Sequence, residues 1–128
     1  MYKAVTKDVE VTVETFFQES ASAPEANHYV FAYRIVIENH SDFTIKLLRR
    51  HWHIIDSNGQ LSEVEGEGVV GQQPVLEPDQ KHEYVSGCEL QSEMGKMHGT
   101  YLMEKQIDGT TFDIDIPEFV MMVPYRLN

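Results

Sequence analysis

The chain has 128 residues and carries 10 Lys plus Arg against 21 Asp plus Glu, a formal charge of -11 at pH 7. Hydrophobic residues at 41% and charged residues at 24% give the balance of one folded domain spanning 1–128, which excludes a disordered chain. So acidic a surface repels phosphate backbones and anionic headgroups, excluding nucleic acid and membrane as whole-molecule partners.

The N-terminus, Met1 to Asp8, lacks the apolar run of a secretory signal, and no stretch approaches the roughly 18 apolar residues of a membrane helix. Val9, Val11 and Val13 alternate with Glu10, Thr12 and Glu14, a half-buried strand. Gln18 to Ala26 is small, polar and interrupted by Pro24, so it reads as loop. Tyr29, Phe31, Tyr33, Ile35 and Ile37 share one parity of a long second strand. Asn39 to Asp42 is a turn, and a third strand runs from about Ile45 to Ile55 with Trp52 as its core anchor.

Asn58-Gly59 supplies the positive φ angles of a tight hairpin. A short return strand, Leu61 to Val64, leads into a glycine-rich loop, and Val75-Leu76 between two prolines reads as an edge stretch. His82 to Cys88 and Met97 to Ile107 are further strands, and Asp108-Gly109 is a second hairpin turn. Phe112, Ile114 and Ile116 form the returning strand, and Pro117 and Pro124 bracket a last short one, Phe119 to Val123. Seven to nine short strands without helical periodicity predict an all-β, immunoglobulin-like or fibronectin type III-like antiparallel β-sandwich.

Three constellations could carry chemistry. Arg49-Arg50-His51-Trp52-His53 places His51 and His53 side by side on one strand face, as a metal would require, although no third ligand is evident in the sequence. Gly66-Glu67-Gly68-Val69-Val70-Gly71 is formally G-x-G-x-x-G, but Pro74 and Pro78 leave no room for the helix of a dinucleotide site. Its amides could still form an anion nest, with Arg49 and Arg50 supplying charge, or its glycines could serve backbone geometry alone. Cys88 is the single cysteine, so no intrachain disulfide forms, which suits a cytoplasmic address. No nucleophile elbow surrounds Cys88 or any serine, so covalent catalysis is not expected.

Several of these motifs together resemble the ApaG family: Arg50-His51-Trp52, Asn58-Gly59, Gly66 through Pro74, Tyr84-Val85-Ser86-Gly87, the spacing of Gly95, Met97, Gly99 and Tyr101, and Phe112 through Phe119. Gln72 stands where that family often has a charge, and Asp79 where it usually has glycine. The resemblance implies a fibronectin type III-like sandwich, an association with cobalt and magnesium resistance in bacterial members, and a protein-interaction role for similar domains in F-box proteins. It implies no enzymatic activity and no cofactor.

The reading is therefore a non-enzymatic module binding a protein through the loop Gly66 to Gly71 and its sheet surface, with Val69, Val70, Val75 and Leu76 as exposed contact residues. The alternative is a sensor, holding a divalent cation on His51 and His53 or a pyrophosphate or nucleotide on the loop amides. Paired edge strands would allow a homodimer.

Overall fold

The computed structural model describes residues 1–127. Among the described residues, nine strands, numbered in chain order, make two antiparallel sheets. The first contains β1 (Tyr2–Thr6), β2 (Val9–Phe17), β3 (Tyr29–Asn39) and β7 (Lys81–Leu90), in the order β1-β2-β3-β7. The second contains β4 (Ile45–Asp56), β5 (Leu61–Glu67), β8 (Met94–Lys105) and β9 (Thr111–Met122), in the order β5-β4-β8-β9. The two-residue β6 (Val75–Leu76) adds to β4. This is the immunoglobulin-like or fibronectin type III-like sandwich that period-two alternation predicts. No helix among the described residues is long and apolar enough to cross a membrane.

The alternation closes the core directly. Val9, Val11 and Val13 of β2 and Tyr29, Phe31, Tyr33, Ile35 and Ile37 of β3 are all buried. They meet Trp52, Met97, Tyr101, Met103, Ile114 and Phe119 of the second sheet in one apolar cluster. Each such large side chain removed from water contributes about 1.5–3 kcal/mol. Trp52 makes edge contacts with Tyr33, Tyr101 and Phe119, so it does anchor the two sheets together.

Two bulges change which parity faces inward. On β4 the register slips between Leu47 and Arg49, so Ile45 and Leu47 point into the core above the slip and Trp52 below it. On β9 the slip lies opposite Met97 and Gly99, at Pro117-Glu118. There the buried set passes from Ile114 and Ile116 to Phe119 and Met121. Proline lacks an amide for the ladder, and a bulge is where a sheet tolerates that loss. Pro117 predicts a break between two strands, but the region is one continuous strand with its bulge at that residue.

Other boundaries also differ from expectation, among them those of β7 and β8, which begin at Lys81 and Met94 and end at Leu90 and Lys105. β5 continues past Val64 to Glu67, so Gly66 and Glu67 belong to a strand rather than a loop. The stretch after β2 is not wholly irregular but holds two single 3-10 turns, Glu19–Ala21 and Pro24–Ala26. The unpredicted β1 forms a hairpin with β2 through Lys7 and Asp8, at φ 48° and 64°. Asp79, where the family resemblance expects glycine, has φ 70° after Pro78. That is the third residue of a type II turn, closed by the Gln80 amide donating to the Glu77 carbonyl at 3.0 Å.

The two sides of the sandwich differ. β9 packs beside β1 and β2, which closes one side. On the other, the edge strands β7 and β5 do not pair, and the space between them stays open.

Candidate functional site

The open side holds two adjoining depressions of about 320 and 480 Å³, both touching Ile54 and Glu89. The larger has an aromatic floor of Tyr33, Trp52 and Tyr84, with Arg50 and Val64 on one wall and Ser86 and Cys88 on the other. It exists because β5 covers so little: six of its seven residues are exposed, leaving the inward residues of β7 half-buried.

The tyrosine hydroxyls meet beneath this cleft. Tyr84 and Tyr101 share a hydrogen bond, and Tyr33 pairs with Ser86. Burial pushes all three phenols above the ordinary tyrosine range, Tyr101 furthest because it is completely enclosed. They are neutral hydroxyls at neutral pH, able to donate and accept. Tyr101→Phe is expected to cost about 1 kcal/mol, the net worth of one hydrogen bond, and urea unfolding would measure it. Cys88 is buried in the same wall, and desolvation raises its thiol to about 11. A protonated thiol is a poor nucleophile.

The glycine segment forms the rim. From Val69 to Gln72 it folds into a two-residue turn, with each end's amide donating to the other's carbonyl at 2.8 and 3.0 Å. The central residues, Val70 and Gly71, lie at φ 46° and 75°, the geometry of a type I′ turn. A β-branched side chain is rarely found there, and Val70 is 63% exposed at the tip. Val69, by contrast, is buried, as is Leu76, so of the four residues expected to be exposed only Val70 and Val75 are.

Arg50 fastens this rim. Its guanidinium donates to the carbonyls of Glu67 and Gly68 at 2.9 and 3.0 Å. A Cβ on Gly66 would sit 2.9 Å from the guanidinium, so glycine is what lets Arg50 lie across the strand. The β4 bulge frees the Leu48 carbonyl, which accepts from the Gly68 amide and the Gln73 side chain, each at 2.9 Å. The amides of Gly68, Val69 and Gln72 are thus all donated within the protein. Arg49 is exposed, and it borders with Arg50 a shallow depression of about 190 Å³ that also holds Glu65 and Asp113, whose carboxylates disfavour an anion.

The outer face of the second sheet gathers the histidines. His51 and His53 stand with ring centroids 4.6 Å apart, and His98 of β8 stacks on His53 at 4.9 Å. From β5, Glu63 lies opposite His53 and Glu65 opposite His51. His51 contacts Glu63 through Nε2, and its Nδ1 lies 3.2 Å from Glu65. Glu63, Glu65 and His98 join the site only through strand pairing, which is why no linear motif marks them. The tyrosine floor escaped the sequence reading for the same reason.

Comparison with known proteins fits this architecture. The ApaG domain family matches residues 19–105. The ApaG protein of Sinorhizobium fredii is 50% identical over 124 residues, covering 97% of this chain and 95% of that protein. The one from Rhizobium leguminosarum bv. trifolii is 51% identical over the same span. A crystal structure of the Bordetella pertussis protein named ApaA superposes with a TM-score of 0.88 at 38% identity, covering 94% of this chain and 98% of that one.

Proposed function

This chain belongs to the ApaG domain family, and on that premise we propose that it is a non-catalytic binding module for an extended segment of a protein partner. The observation carrying this reading is the open side: an aromatic-floored cleft flanked by two unpaired strand edges. An added strand gains backbone hydrogen bonds from the edge and specificity from alternate side chains. Along β5, Val64 faces the cleft while Glu63, Glu65 and Glu67 face outward. The complementary segment alternates apolar residues, which enter the cleft, with basic residues beside the glutamates. The Val70 tip, held at a strained φ and exposed, adds apolar contact at the rim.

The protonated Cys88 and neutral tyrosines support binding over bond-making. A lone thiol also suits a reducing compartment, and we place the module in the cytoplasm on that ground.

The test places a photo-crosslinking residue at Leu61, on β5, or at Val5, on the opposite edge of the sandwich. Both are exposed apolar positions. A specific adduct from position 61, absent from position 5 and suppressed by Val64→Lys, is the expected result. Equal adducts from both positions, or indifference to Val64→Lys, rule the placement out. Because Trp52 is the single tryptophan and lines the cleft, a peptide carrying the crosslinked segment should also shift the protein's fluorescence.

A further inference from the structure

We infer that the outer face of the second sheet is a binding site for a borderline first-row divalent cation, held by His51, His53 and Glu63. This goes beyond the docking reading, since it places an ion on the outward face of β4 and β5, although Glu63 and Glu65 also border the docking edge. One ligand atom from each of the three residues lies within 4.8 Å of the others. All three come from paired strands of one sheet, so their Cα positions are fixed by the ladder and only side-chain rotations remain to close on an ion.

Two features separate this cluster from an ordinary hydrogen-bonded histidine. His51 Nε2 and a Glu63 oxygen meet in a direct contact, so two donor atoms already converge on one point that a cation can take over. The other nitrogen of the same ring, Nδ1, is 3.2 Å from Glu65. A carboxylate on the distal ring nitrogen is the arrangement that orients a ligating imidazole and raises its basicity. Glu65 is therefore a positioning residue, and His98, stacked parallel to His53 at 14°, fixes the plane of the second ring.

The donor set selects the ion. Two imidazoles and one carboxylate, with the solvent side open for water, suit Co²⁺, Ni²⁺ or Zn²⁺. Magnesium prefers oxygen donors and sheds water reluctantly, so it should not compete. A second trio, Glu10, Glu38 and His40, lies on the first sheet and contributes only one nitrogen. It serves as the internal control.

Cobalt chloride alone is the probe, because nitrogen ligation of Co²⁺ produces a visible ligand-field band. One equivalent should bind, with zinc displacing it and magnesium at ~100-fold excess leaving it in place. His51→Gln and His53→Gln should each weaken binding by at least ~10-fold, and Glu65→Gln by about 10-fold with stoichiometry unchanged. His40→Gln should have no effect. Thermal unfolding of each variant without metal verifies that these surface substitutions leave the fold intact. The site is disproved by undiminished binding in the His51→Gln/His53→Gln double variant, by loss in His40→Gln instead, or by no saturable band up to ~1 mM cobalt.

Discussion

Gly99→Ala is expected to destabilise the protein by about 3 kcal/mol, seen as a lower urea midpoint with an unchanged slope. A Cβ at position 99 would sit 2.1 Å from the carbonyl oxygen of His51. That oxygen belongs to the backbone of the neighbouring strand, so it cannot swing aside as a flexible side chain would. Relief requires β4 and β8 to move apart where Trp52 lies opposite Gly99. The same movement would loosen the histidine face, because His51 and His53 flank Trp52. Gly87→Ala is the matched control. It too is a strand glycine, but its Cβ would meet only the Phe31 carbonyl, at an ordinary 3.4 Å. Equal losses from the two substitutions would refute the close-approach explanation.

The second large effect belongs to Arg50. Arg50→Ala removes both donors to the rim and leaves the Glu67 and Gly68 carbonyls without their protein partner, a loss of roughly 2–3 kcal/mol. Arg50→Lys should recover only part of this, because an ammonium lacks the planar group that lies flat over Gly66. Urea unfolding measures the total, and limited proteolysis between residues 66 and 73 measures the rim. Faster cleavage there in Arg50→Ala, intermediate in Arg50→Lys, is expected. Unchanged cleavage would mean that the contacts of Leu48 suffice to hold the segment.

Most of the architecture was legible because alternation is a local signal. The valines of β2 and the five inward residues of β3 announce their faces within ten residues of sequence. What escaped was set by partners distant in the chain or by turns of unusual chemistry. The β1–β2 hairpin turns on Lys7-Asp8, where two non-glycine residues take positive φ, so no Asn-Gly or Asp-Gly pair betrays it. Pro117 reads as a break in isolation, yet the neighbouring strand accommodates it as a bulge. Arg50 stands in the sequence as a possible anion contact, but its acceptors are backbone carbonyls, which carry no side-chain signature. His51 and His53 were visible as a pair; Glu63 joins them only once β5 is set in register.

The exposed β5 carries a further consequence for how copies of this molecule behave toward one another. An uncovered strand edge is a template on which identical chains can stack into fibres. Here three glutamates at alternate positions, Glu63, Glu65 and Glu67, line the outward side of that edge. Two antiparallel copies brought edge to edge would face carboxylate against carboxylate, and the repulsion protects the open strand from its own kind. Under the proposed docking, a basic segment would meet no such barrier, so the charges that oppose self-pairing are the ones such a partner would engage.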